Sequence, residues 1–421
     1  MSANEVNYFG ANPHVEGVFS SDRAQVKSID RDDCKIGGPY THADVPRGAW
    51  VEIDLGAIAH NLRIIRKHIG MNRQLMAVVS ADAYGHGAVR VAKVALENGA
   101  DCLGVSTVEE AIELREADIE APVLVLSQPP MRTIPQLLAF NVMPTVTTRD
   151  FALALGEEAD LHGMVAKYHL AIDTGMNRIG VFYLDAVDFM ESINFHRGLE
   201  CAGVFTHFAT ADDVSDWEFQ KQLSRFRDAL RQLENARLKT GLVHCANSAA
   251  AMRFPESHFD MVRIGVAMYG ITPAPSLRDR DDLRPAMSVK AQVAYVQEPQ
   301  MGEGVSFGFS YRVAKPVQVA VLPLGYADGV RYQLSGRMKV LCHGNPCQQI
   351  GAICMDQMMI EIPLSYSTGA FAKGVEVGDE VVIVGRQGDL EISIDMMADE
   401  LETPHHEMLC AFGQRLPRIY V

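Results

Sequence analysis

The chain has 421 residues, 48% hydrophobic and 22% charged, enough to bury a large core and to divide into two domains. Its net charge of -15 opposes a nucleic-acid partner, because phosphate backbones are held by Lys and Arg. Met1 to Val18 contains no apolar signal core and no apolar run reaches the ~20 residues of a membrane span, so the expectation is a soluble cytoplasmic protein.

Residues 1–47 are polar, rich in Gly, Asp and Ser, and without periodicity; they predict an N-terminal extension, loosely ordered or partner-contacting. A compact pattern starts with a strand at Trp50-Val51-Glu52-Ile53-Asp54-Leu55 and a helix from Ala57. Strand-like runs then recur at Leu75–Ala81, Cys102–Ser106, Val123–Ser127, Val142–Val146, Tyr168–Asp173, Gly203–Phe208, Leu242–Ala246 and Met261–Val266. Helical patterns such as Arg90–Glu97, Val108–Glu116 and Phe219–Leu238 lie between them. About eight such units predict an α/β fold, a (β/α)8 TIM-like barrel over residues 48–283. A doubly wound open sheet is the alternative, but no Gly-x-Gly-x-x-Gly follows any strand. After residue 284 alternating strands dominate, at Val289–Val296, Val317–Leu322, Met338–Cys342 and Val381–Val384, which predicts a mostly β C-terminal domain over 284–421.

The eight cysteines do not form a disulfide framework in a chain this long. Cys342 and Cys347 flank His343-Gly344-Asn345-Pro346, which reads as a turn between strands; no second Cys/His pair matches them, so no metal is expected.

In a βα barrel the chemistry sits at the C-terminal ends of the strands. Polar groups collect there: Asp173 to Arg178 after one strand, Thr206-His207 with Asp212-Asp213 after another, Asn247-Ser248 after a third, and Arg263 with Gly265 on the last. The segments Ala77-Val78-Val79-Ser80-Ala81-Asp82-Ala83-Tyr84-Gly85-His86-Gly87, His169 to Gly180, Met261 to Gly270, Gly325-Tyr326-Ala327-Asp328-Gly329 and Ile353-Cys354-Met355-Asp356-Gln357 resemble, in order, those of alanine racemases, the fold-type III pyridoxal enzymes.

The resemblance runs from residue 49 to the C-terminus and implies a head-to-tail homodimer with shared active sites, pyridoxal phosphate as cofactor, and an amino acid or related amine as substrate. It implies that Tyr84, Asn247 and Ser248 bind the cofactor, with backbone amides near Gly265 and Val266. Preorganised N–H groups suit such an anion. Arg263 would face the pyridine nitrogen, and His207 would link Arg263 to a base from the other subunit. Arg178 would sit by the ring hydroxyl, Met355 and Asp356 near the substrate, and Tyr326 at the entrance.

Four positions depart from the family pattern. Ser80 stands where the family has the lysine that forms a Schiff base with the cofactor and moves the substrate proton. Phe307 stands where a tyrosine serves as second base in the partner's pocket. Ala171 replaces a lysine that steadies the arginine matching Arg178, and Gln414 a tyrosine that helps hold the phosphate. Lys93, Lys290 and Lys315 fall in a helix and in the β domain, away from Ser80. Pairing with an active chain would leave each composite pocket with a single base.

Two-base racemisation needs a proton acceptor on each face of the α-carbon, and each general base contributes ~10²–10⁴-fold. The leading expectation is a diverged alanine racemase-like protein with a non-covalent pyridoxal phosphate pocket, acting on an amino acid or amine by altered chemistry. Asp82, His86, His207, Tyr311 or Tyr326 would supply new acid–base groups; in a strand, Asp82 would share a face with Ser80. The alternatives are an inactive homologue with a binding or regulatory role, and an alanine racemase using unusual bases.

Overall fold

Strands apolar at every position belong in sheets covered on both faces, and the runs CLGV and VLV are buried along their whole length. In the computed structural model, which describes residues 45–277, 282–363 and 374–421, they are staves of a closed parallel barrel. The expected extension, residues 1–47, lies outside the described residues as far as position 44.

The first strand, β1 (Ala49–Ile53), leads to β2 (Gln74–Val78), β3 (Cys102–Val105), β4 (Val123–Val125), β5 (Met143–Val146), β6 (Ala166–Asp173), β7 (Val181–Phe182), β8 (Leu199–Phe205), β9 (Leu242–His244) and β10 (Met261–Ile264). The barrel runs β2-β3-β4-β5-β6-β8-β9-β10 and closes on β2, with every neighbouring pair parallel. Each of the eight expected runs overlaps one stave. Inside it, Met76, Cys102, Leu124 and Met261 form a packed plug, so the barrel is a core and not a pore.

Helices between the staves have their expected local causes. Leu55–Ile69 starts at Asp54, whose carboxylate accepts the Ala57 N–H at 2.8 Å. Val108–Glu116 starts with a capping box of Thr107 and Glu110. No helix among the described residues is long and apolar enough to cross a membrane.

One element differs from its expected place. β1 is not a barrel stave: it pairs antiparallel with Met287–Gln292 and parallel with Arg418–Tyr420, in the ten-stranded, mostly antiparallel second sheet. Across that pairing Lys290 reaches the Glu52 carboxylate at 3.0 Å. Val45 packs with Trp50 and Ile419, and Arg47 meets the buried Asp328 at 2.6 Å, so the chain is anchored before β1 begins. Cys342 and Cys347 lie on the hairpin Lys339–Cys342/Asn345–Ile350, turned by His343 and Gly344, both at positive φ.

Phe219 has no solvent exposure and sits 4.6 Å from the Phe208 ring and 3.9 Å from that of Phe254. Phe219→Ala is expected to cost about 3–5 kcal/mol of unfolding free energy, measured by urea denaturation.

Candidate active site

Ser80 lies two residues beyond β2, half-buried, and its hydroxyl has no hydrogen-bond partner among the described residues. The backbone that follows is neither strand nor ordinary helix. Ala81, Asp82, Ala83 and Tyr84 all hold φ of 53–54° with ψ of 38–51°, a left-handed turn made without glycine. Such residues cost about 1–2 kcal/mol each, so the turn must be held by its surroundings. The Glu110 carboxylate accepts the Ala81 N–H at 2.7 Å and, through its other oxygen, the Ser106 N–H at 2.7 Å. Arg418 donates to the Gly85 carbonyl at 3.0 Å.

This turn overturns the strand geometry expected to place Ser80 and Asp82 on one face. The Asp82 carboxylate accepts the N–H of Ala88 at 2.8 Å, at the start of the helix Ala88–Glu97. It serves as a helix-end acceptor, with the charges of Arg418 and Glu113 nearby.

The turn carries Tyr84 from the end of β2 to the end of β10. Its hydroxyl lies 2.7 Å from where a Cβ on Gly265 would stand. Gly265 donates its N–H to the Ser248 Oγ at 3.0 Å, and the Val266 N–H has no hydrogen-bond partner among the described residues. Burial, and then Cys410, push the Tyr84 phenol up to about 12, so its proton stays on and it can donate. The Tyr84 and Ser248 hydroxyls and the Val266 N–H thus converge as a donor cradle for an anion, with Gly265, whose N–H is given to Ser248, leaving room beside Tyr84. The side chain of Asn247 is not in that cradle: its Oδ1 caps the helix Ser248–Arg253 by accepting the Ala250 N–H at 2.9 Å, which sets Ser248 in place.

Beside the cradle, Arg263 is 3% exposed and has no carboxylate partner among the described residues. Its Nη1 meets His244 Nδ1 at 2.9 Å; its Nη2 meets the Thr206 carbonyl at 2.9 Å, His207 Nδ1 at 3.1 Å and the Cys245 carbonyl at 3.2 Å. Guanidinium only donates, so both imidazoles accept through Nδ1 and carry their proton on Nε2. His244 passes that proton's hydrogen bond on to His169 Nδ1 at 2.8 Å. Burial and the neighbouring charge of Arg263 pull His169 down to about 4 and His207 to about 3, and take His244 well below the usual histidine range. Burial also pulls Arg263 down to about 10, which leaves it charged at neutral pH.

Sequence reasoning missed His169 and His244. Each is a single polar residue within an apolar strand, on β6 and at the end of β9. The signal was there: a buried imidazole needs a partner, Arg263 on the next stave supplies one for His244, and His244 supplies one for His169. Arg178 is exposed, and its charge contributes to lowering both His207 and Arg263. Ala171 is buried on β6.

The expected residues of the β domain form a second cluster. The Ser306 hydroxyl donates to the Ala352 carbonyl at 2.7 Å, and Tyr326 N–H to the Cys354 carbonyl at 3.0 Å, so the segment from Ala352 to Asp356 ties Phe307 to Tyr326 and Met355. Phe307 is 77% exposed, with Phe309, Tyr326 and Met355 also exposed. Asp356 is held by Arg415 at 2.5 Å. No hydrogen bond, ion pair or ring contact among the described residues links this cluster to Ser80, Tyr84 or Arg263. Tyr311 donates to the Glu361 carboxylate; burial and that carboxylate push its phenol up to about 12. Gln414 is exposed.

Comparison with known proteins matches two family models: "Alanine racemase, N-terminal domain" over residues 53–273, and "Alanine racemase, C-terminal domain" over 286–420. The alanine racemase of Synechocystis sp. is 41% identical over 379 residues, covering 89% of this chain and 99% of that protein. A solved alanine racemase from Bacillus anthracis with bound L-Ala-P superposes with a TM-score of 0.83 at 37% identity, covering 91% of this chain and 96% of that one. A histidine racemase from Leuconostoc mesenteroides superposes with a TM-score of 0.82 at 28% identity, covering 89% and 98%.

Two predictions follow from the buried groups. His169 and His207 are neutral when folded, while an unfolded histidine takes a proton below about 6.5. The unfolded chain then binds more protons, so their contribution to stability is complete above pH 6.5 and is lost as pH falls through about 4 to about 3. A urea-midpoint series from pH 7 to pH 4 should fall steadily, and less steeply in His207→Gln. In Gly265→Ala the new methyl would meet the Tyr84 hydroxyl at 2.7 Å. Affinity for a phosphate-bearing ligand is expected to fall at least ~10-fold by titration calorimetry, with the fold retained.

Proposed function

The chain belongs to the alanine racemase family, and on that footing we propose that it holds a pyridoxal phosphate-type ligand without a covalent lysine link and acts on an amino acid or related amine by chemistry other than two-base racemisation. One observation carries this reading. The donor cradle of Tyr84, Ser248, Gly265 and Val266 is fully built and has open donors, while the neighbouring Ser80 offers only an unpartnered hydroxyl.

The residues suit the ligand at two of its three ends. Tyr84 and the Val266 N–H would hold the phosphate, and Arg263, whose Nε has no partner among the described residues, would face the ring nitrogen. As a permanent donor it leaves that nitrogen unprotonated. At the third end the fit fails for covalent anchoring. Lys93 is exposed on its helix, Lys290 is paired with Glu52, and Lys315 with Glu361. When bound, pyridoxal phosphate supplies an aldehyde for amines and a ring that accepts electron density. The chain's own part is to orient it, exclude water from the buried Arg263 network, and hold His207 with its Nε2 proton outward as a donor.

The exposed Phe307, Phe309, Tyr326 and Met355 form an apolar face that would close the barrel mouth of a second copy, giving a head-to-tail homodimer. A non-catalytic binding role is the second reading, favoured by the absence of an ionisable group at both Ser80 and Phe307.

Absorption titration with pyridoxal phosphate tests the proposal, with native mass spectrometry on the same sample. Saturable binding that dialysis reverses, and a spectrum that shifts with an added amine, are expected. No binding at high concentration, or alanine racemisation at ordinary racemase rates, would overturn it. Each missing base is worth ~10²–10⁴-fold, so Ser80→Lys with Phe307→Tyr should racemise alanine at least ~100-fold faster than either single change, measured by chiral chromatography.

A further inference from the structure

The left-handed turn from Ala81 to Tyr84 has carbonyl oxygens that an ordinary helix would satisfy in series. The backbone takes Asp82 O through the Gly87 N–H at 2.9 Å and Ala83 O through the His86 N–H at 3.1 Å, while Val79 O, just before the turn, accepts the Ala83 N–H at 2.9 Å; Ala83 O has a second lone pair to offer. The Ala83 and Tyr84 carbonyls converge on one side chain. His86 Nδ1 lies 2.9 Å from Ala83 O and 3.0 Å from Tyr84 O. Both oxygens are acceptors, so Nδ1 carries a proton. His86 Nε2 is buried and has no hydrogen-bond partner among the described residues. The ring is therefore neutral, with its single proton on Nδ1.

The same ring also acts through a stack. Its centroid is 4.5 Å from that of Tyr269, which is 4.8 Å from that of Tyr84. Tyr269 is itself pinned by a 2.8 Å hydrogen bond from its hydroxyl to Val78 O, on β2. The backbone of Tyr84 is thus held by His86 directly, and its ring through Tyr269.

We propose that His86 is a positioning residue for the phosphate end of the site: its Nδ1–H locks the left-handed turn, and the locked turn sets the Tyr84 hydroxyl beside Gly265. This rests on the phosphate-ligand reading of the cradle. The groups packed around the ring keep it neutral. Burial pulls its pKa down to about 4, against two carbonyl contacts that raise it, and the Arg418 guanidinium lowers it further. Tyr84 and Tyr269, both held protonated by burial, add no charge. Asp82, the nearest carboxylate in sequence, is engaged with the Ala88 N–H.

Two measurements decide it. Histidine-ring ¹⁵N correlation spectra of the full chain should show His86, assigned by its loss in His86→Asn, as the Nδ1–H tautomer without titration from pH 5 to pH 8. An Nε2–H tautomer, or a midpoint near 6.5, overturns the proposal. In the second, His86→Asn keeps a donor and His86→Phe keeps only the stack. Pyridoxal phosphate affinity should fall at least ~10-fold in the Phe variant and stay within ~3-fold in the Asn variant, with equal circular dichroism. Equal affinity for all three forms refutes the positioning role. The ¹⁹F resonance of 3-fluorotyrosine at Tyr84, assigned through Tyr84→Phe, gives a readout without ligand: it should move in His86→Phe and be restored in His86→Asn. A wild type that binds no pyridoxal phosphate sinks the ligand reading, while the tautomer and the ¹⁹F shift still decide the role of His86.

Discussion

A guanidinium buried at the mouth of a barrel, with no carboxylate partner among the described residues, orders the groups around it. Arg263 can only donate, so every atom it touches must accept. That single constraint sets the His207 and His244 tautomers, carries to His169, and requires the Thr206 and Cys245 carbonyls to turn inward. The charge keeps all three rings neutral where burial has already disfavoured their protonation. The network links β6, β8, β9 and β10 and the loop after β8, so barrel closure and site electrostatics are one arrangement.

A second constraint acts on the other side of the mouth. Tyr84 reaches Gly265 only because the chain after Ser80 coils left-handed, and that coil is disfavoured at every residue. Glu110, His86 and Arg418 hold it from the helix Val108–Glu116, from within the segment, and from the strand Arg418–Tyr420. The second domain therefore helps to shape a pocket of the first. The strand β1, which leads into the barrel while pairing with the second sheet, expresses the same coupling.

These features divide by how far a linear pattern can speak. The eight staves were legible because a short apolar run between helical patterns has few other meanings. The sheet that β1 joins was not, since a five-residue run with four apolar positions specifies a strand but not its neighbours. The coil at Ala81 to Tyr84 was illegible for a sharper reason: left-handed backbone is signalled by glycine, and Ala-Asp-Ala-Tyr contains none. That error moved Asp82 from a helix-end acceptor to a catalytic candidate. Tyr84, Ser248 and Arg263 were singled out because family motifs carry them. His169 and His244 were passed over because one imidazole in a strand has no meaning until its partner is known.

What each of these groups contributes to the fold itself differs from group to group. Arg263 would be costly to lose whatever the function. Its removal leaves two imidazole nitrogens and two carbonyls buried without a donor, at about 1–3 kcal/mol each. Its presence is thus explained by stability alone. The cradle is different. The Tyr84 hydroxyl and the Val266 N–H have no partner among the described residues, so folding gains no hydrogen bond from either. Tyr84 and Val266 are only partly buried, so both donors face outward from the packed core, at the end of a turn whose backbone is itself disfavoured. Folding therefore explains the arginine but not these two open donors, and it is the cradle, more than the arginine, that bears on the proposed anionic ligand.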